Sequence, residues 1–123
     1  MADYLSVLPG PLGTLKYVES LATATVTADF LGPGTIVLSV KIDCTSNPGE
    51  AVYLKLWNTA GTPTVGTTAP TLIFRCPAGE TVEYFLLDGF GATAVHSAVV
   101  QEPGTAGTTA PTGTVSYTVI GAS

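Results

Sequence analysis

From residue 21 onward, apolar and polar positions follow a period of two, the repeat of a strand with one face in a core. Ala22, Ala24, Val26, Ala28 and Phe30 alternate with Leu21, Thr23, Thr25, Thr27 and Asp29. Beyond Gly32-Pro33-Gly34, Ile36, Leu38, Val40 and Ile42 alternate with Val37, Ser39, Lys41 and Asp43. Ser46-Asn47-Pro48-Gly49 reads as a turn. Val52, Leu54 and Leu56 then share one face, and Tyr53, Lys55 and Trp57 the other. Further strands are expected at Leu72, Phe74 and Cys76, and at Val82, Tyr84 and Leu86. Pro77-Ala78-Gly79-Glu80 turns the chain between them. Asp88-Gly89-Phe90-Gly91 reads as another turn, residues 92–101 as a long strand, and residues 114–120 as the closing strand.

No segment keeps a helical repeat. Seven main strands result, with an eighth if the N-terminus supplies one. Turn signals recur at about the 8–12-residue spacing of all-β sandwiches and barrels. The expected fold is therefore an antiparallel β-sandwich, jelly-roll or immunoglobulin-like in topology, over residues 21–123. Two long loops, 59–70 and 102–113, interrupt it, and each carries the same run. Gly66-Thr67-Thr68-Ala69-Pro70 returns as Gly107-Thr108-Thr109-Ala110-Pro111, which would make one patterned rim if both loops lie at the same end.

Residues 1–20 differ from the rest. Leu, Val and Tyr are mixed with Pro9-Gly10-Pro11 and Gly13, and proline there breaks any helix and favours extended chain. We read this part as an extended arm, tied down on its own domain or on a neighbouring subunit, with 14–20 forming a short strand or a helical turn. It offers Tyr4, Leu5, Leu8, Leu12 and Tyr17 for contact with a partner, by strand addition or in shallow pockets. It has no positively charged start and carries Asp3, so it does not read as a signal peptide. No run of 18 or more apolar residues is present, so no helical membrane span and no membrane partner are expected.

Composition sharpens this picture. Of 123 residues, 46% are hydrophobic and only 11% are charged, against a usual charged share of ~25%. Much of the surface must then be Thr, Ala, Gly, Ser and Pro, or be covered by neighbours. Four scattered cations and a net charge of −5 leave no basic patch for nucleic acid. Cys44 and Cys76 end predicted strands in the core-facing phase and read as buried free thiols, with a single bridge between neighbouring strands as the alternative. His96 stands alone in mid-strand and reads as structural. Glu80 and Glu83 flank a turn and read as strand-edge charges that discourage edge pairing. No constellation of acid, base and nucleophile points to an enzyme, and no ligand cluster points to a metal or cofactor.

The order of several blocks carries a family resemblance. YLKLWN is followed by TPTVGTTAPTLIF, then CPAGETVEYFL, and at the end TTAPTGTVSYTVI. This order resembles a group of small tailed-phage virion proteins with a Lys-Leu-Tyr-Asn-like strand, a Thr-Pro-Thr-Val-Gly-Thr loop and a Pro-Ala-Gly turn. The resemblance covers roughly residues 29–120. Trp57 stands where another aromatic is usual, and Cys76 precedes the Pro-Ala-Gly turn. It implies a β-sandwich of the virion, on the head or in a tail or fibre component.

A compact domain with an arm suits a head decoration (cement) protein, which binds the outside of the shell and stabilises contacts between neighbouring capsomers. That role implies the major capsid protein as partner, a homo-trimer, and residence on the head surface after synthesis in the host cytoplasm. Tyr53, Trp57 and Phe85, on strand faces opposite the aliphatic core, join the arm residues as expected contact positions. The competing reading is a tail or fibre module that binds a host receptor or glycan through loops 59–70 and 102–113.

Overall fold

A computed structural model describes residues 4–7, 14–32, 34–91 and 93–122. It is an all-β sandwich of eight antiparallel strands. They are β1 (Tyr4–Val7), β2 (Thr14–Glu19), β3 (Ile36–Asp43), β4 (Val52–Asn58), β5 (Leu72–Cys76), β6 (Thr81–Gly91), β7 (Val95–Val100) and β8 (Ser116–Ala122). One sheet has the order β1-β2-β8-β3-β6, and the other has the order β5-β4-β7.

The inner faces meet where the alternation places them. Val52, Leu54 and Leu56 of β4 are buried against Val40 and Ile42 of β3 and Val119 of β8 within one cluster, which also holds Phe74, Val95 and Val99. The two sheets are also joined through polar atoms. Ser97 of β7 and Tyr117 of β8 share a hydrogen bond between their hydroxyls, so neither enters the core unpaired. Burial pushes the Tyr117 phenol well above its ordinary range.

Residues 14–19 are not a free arm. β2 pairs with β8 along its whole length, from Thr14 opposite Ala122 to Glu19 opposite Tyr117. β1 pairs with β2 in turn, Tyr4 opposite Val18 and Leu5 opposite Tyr17. The reason is that β8 needs a partner on its free side, and Leu15, Tyr17 and Glu19 alternate inward from that position. Leu8 and Leu12 lie outside the described residues.

Residues 22–30, expected as a strand, form only an isolated bridge, Thr27 opposite Ser97. They run along the outer edge of β7 and satisfy it piecemeal. Thr27 and Ser97 exchange both backbone bonds, Val99 donates to Thr23, and Phe30 donates to Val95. The alternation there reflects a segment that covers a sheet edge without a continuous ladder. The turn expected at 88–91 is likewise part of β6.

A bulge in the larger sheet breaks the predicted phase. Val37 faces Phe90 of β6, but Ser39 faces Phe85, so Leu38 alone stands opposite residues 86–89. On its other side, Val37 faces Gly121 of β8 and Ser39 faces Ile120. The extra residue reverses the pleat. Val40 and Ile42 point inward as expected, but upstream of the bulge Val37 takes the core position, and Ile36 and Leu38 turn outward.

Candidate functional site

Two surfaces emerge, one on each sheet. The outer face of the smaller sheet carries Tyr53, Lys55 and Trp57 of β4 in register with Val100, Ala98 and His96 of β7. This face is closed over by the two long loops. The Trp57 indole N–H donates to the carbonyl of Thr68 at 2.9 Å, and the ring is only 1% exposed. The Lys55 ammonium donates to the carbonyl of Gly104 at 2.5 Å, and the side chain is completely buried. Burial holds Lys55 below the usual lysine range, with the Glu102 carboxylate partly offsetting it.

The two loops also touch each other. Gly66 has φ +92°, and a Cβ there would lie 2.6 Å from Cγ2 of Thr108. The repeated Gly-Thr-Thr-Ala-Pro runs therefore do lie at one place. Each loop is braced from within. Thr64 N–H bonds to the Thr68 hydroxyl at 3.0 Å, and Thr109 N–H bonds to the Glu102 carboxylate at 3.1 Å. Residues 102, 104 and 106–109 line an open cleft of about 400 Å³.

Asn47 anchors the far end of the second loop. Its side-chain oxygen accepts from Gly113 N–H at 2.6 Å, and its amide donates to Glu50 O at 2.9 Å. Its own carbonyl accepts from Gly79, so one buried Asn ties three connections together. Nothing in sequence reading singled it out beyond its place in a turn. Glu50 completes the brace by accepting from the Thr112 hydroxyl at 2.5 Å and from its N–H at 3.1 Å. These bonds hold the Glu50 carboxyl below its ordinary range, and those from Thr109 do the same for Glu102.

The second surface is the outer face of the larger sheet. Phe85 is 67% exposed and Leu87 is 96% exposed on β6, with Ile36 and Leu38 exposed on neighbouring β3. The bulge brings them together. Ser39 lies in register with Phe85 on one side and Ile120 on the other. Gly89, at φ +73°, packs so closely on Ile36 that a Cβ would lie 2.2 Å from Ile36 Cγ2. The polar end of the same face begins at Lys41, opposite Glu83.

The eight positions expected to make contacts thus separate. Phe85 is exposed, as expected. Trp57 is not, because loop 59–70 folds over it, and Tyr53 beside it is half-buried. Tyr17 is a core residue, its ring tilted 46° to that of Phe30 with centres 4.7 Å apart. Its hydroxyl donates to the Glu19 carboxylate at 3.2 Å. Tyr4 and Leu5 are placed by their backbone pairing in β1 alone. Leu87 is exposed with Phe85, whose outward phase it shares, but Ile36 and Leu38 were missed, because an unbroken alternation hides a bulge.

His96 is structural in its contacts. Nδ1 accepts from Asp29 N–H at 3.1 Å, which leaves Nε2 to donate to Thr59 O at 2.8 Å. Cys44 and Cys76 are both buried and free. Among the described residues no group of three His, Cys, Asp or Glu side chains could hold a metal, and no helix is long and apolar enough to cross a membrane. No family model matches the chain, and no curated protein or solved structure matches it either.

Proposed function

We propose that this chain is a virion structural protein of the head-decoration type. It seats the outer face of its larger sheet on the major capsid protein and stabilises contacts between neighbouring capsomers. The observation that carries this reading is the apolar group Ile36, Leu38, Phe85 and Leu87, projecting from an otherwise weakly charged sandwich. Exposed apolar clusters of this kind mark interaction surfaces. The block order YLKLWN, TPTVGTTAPTLIF and CPAGETVEYFL supports the virion setting. Assembly as a homo-trimer on the head surface belongs to the same proposal.

The test uses the double variant Phe85→Ser, Leu87→Glu. Both side chains are exposed, so the folded domain should survive with its thermal midpoint nearly unchanged. Co-sedimentation with heads stripped of the protein should fall by tenfold or more. Undiminished binding by the folded variant would overturn the assignment of this face.

A second reading rests on the contact between the two repeated loops and the cleft beside it. A tail or fibre module would use that rim to touch a host glycan or receptor. Substituting Thr67 and Thr108 would then abolish adsorption and leave head stability untouched. Labelling purified heads and tails separately distinguishes the two.

A further inference from the structure

The two cysteines meet at the junction of the sheets. Cys44 follows β3 in the larger sheet, and Cys76 ends β5 in the smaller one. Both converge on one oxygen. The backbone N–H of Cys44 donates to Glu80 O at 2.8 Å, and the Cys76 thiol donates to the same atom at 3.3 Å. The Cys76 sulfur also lies 3.7 Å from Ile42 O, across the interior from its own strand. The two thiols act on each other's acidity, as expected of neighbours that meet at Glu80. Neither is exposed, and the turn 77–80 meets both, through Pro77 O and Glu80 O at Cys76 and Glu80 O at Cys44. The carboxylates of Asp43, Glu50 and Glu80 lie close enough to raise the cost of forming a thiolate here.

We propose that Cys44 and Cys76 form a closable dithiol that becomes an inter-sheet disulfide, within the native fold, when the protein meets an oxidising thiol–disulfide pool. The oxidant is a small disulfide such as oxidised glutathione. One cysteine thiolate attacks it, forming a mixed disulfide and releasing one glutathione thiol. The second cysteine, as thiolate, displaces the other glutathione. Two cysteine thiols and one glutathione disulfide give one protein disulfide and two glutathione thiols. Both thiol protons leave to solvent or to the departing thiolates.

Burial and the acidic surroundings push both thiols above their ordinary range, so attack is slow until the 77–80 turn opens. The pair therefore stays reduced through rapid folding in a reducing compartment and closes later. The new bond would clamp β3 to β5 and close the loop that contains the β4–β5 hairpin. This inference does not depend on the proposed function.

The experiment equilibrates wild-type protein in a glutathione buffer poised to close structural disulfides. It approaches equilibrium from both sides: reduced native protein, and protein oxidised in urea and refolded. Acid quenching, alkylation in denaturant and intact mass then count the thiols. Both samples should converge on a species two hydrogens lighter with no alkylatable thiol. Its thermal midpoint should be about 5–15 °C higher than that of the reduced protein, and a reductant should reverse the change. Cys44→Ala should show no such rise under the same oxidant. Convergence of both samples on the dithiol, or a disulfide form that melts below the reduced one, would overturn the proposal.

Discussion

Lys55 is a charged residue in a place that chemistry disfavours, and the loop above it explains why it stays. A lysine stem covers apolar surface well, but here the ammonium is also enclosed and donates a hydrogen bond to Gly104 O. Burial lowers its affinity for the proton in the folded state, whereas in the unfolded chain it keeps the proton up to about pH 10.4. Below that unfolded value, and above the lowered folded one, the unfolded state binds more protons, so stability contributed at this site rises with pH. The stability of wild type minus that of Lys55→Met, from urea unfolding with reductant present, should increase as the pH is raised towards the unfolded value of about 10.4. A flat difference would mean that the buried ammonium carries no desolvation cost. Trp57 can be tested at the same scale. Its alternation phase was legible in sequence, but its cover was not, because loop 59–70 gives no sequence sign of where it folds. Trp57→Ala should cost about 3–5 kcal/mol, an amount an exposed contact aromatic would not cost, as measured by chemical denaturation.

The loops behave as a coupled pair of elements, and Gly66 is where they meet. Alanine there is opposed twice, by the left-handed backbone and by the Thr108 methyl. Gly66→Ala should lose about 1–3 kcal/mol. Thr108→Ser removes the obstructing methyl and should be nearly neutral alone, yet recover about 0.5–2 kcal/mol in the double variant. Strictly additive costs would show that the loops do not touch in solution. The acidic braces supply a second expectation. Glu50 and Glu102 have lowered folded pKa values, so what they contribute is complete above the unfolded carboxylate range and is lost as pH falls through the lowered values. Between about pH 5 and pH 3, amides of 102–113 should lose protection before those of β3, β4 and β8. Hydrogen exchange corrected for intrinsic rates measures this, and Glu50→Gln should show the loosening already at neutral pH. The repeated Gly-Thr-Thr-Ala-Pro run suggested a shared place for the loops, and the approach of Gly66 to Thr108 decides it. The brace through Asn47 was not legible from sequence, since its partners Gly79 and Gly113 are remote in the chain.

At the scale of the whole molecule, the N-terminus decides whether the larger sheet is complete. Removing residues 1–13 takes away β1 and keeps β2 against β8, so the domain should remain folded and cooperative. Removing residues 1–20 strips β8 of a neighbour along its length and deletes Leu15, Tyr17 and Glu19 from the interior. That truncation should unfold or aggregate, as circular dichroism and light scattering would report. A stable, monodisperse 21–123 fragment would instead support an arm separable from the domain.

Sequence alone determined the all-β class, the strands at β3, β4, β5, β7 and β8 and the first part of β6, and the inward set Val52, Leu54, Leu56, Phe74 and Cys76. These follow from local rules: a pleat alternates side chains, and Gly, Pro and Asn turn the chain. Only the tertiary structure decided that 22–30 covers an edge, that 14–19 fills a place beside β8, and that Trp57 lies beneath a loop. The bulge at Leu38 belongs here too. Ile36, Leu38, Val40 and Ile42 form an unbroken alternation, and nothing local marks the residue at which the ladder slips. The slip is set by how β3 pairs with β6 on one side and β8 on the other. One unpaired residue turns two expected core side chains, Ile36 and Leu38, into members of the exposed group with Phe85 and Leu87.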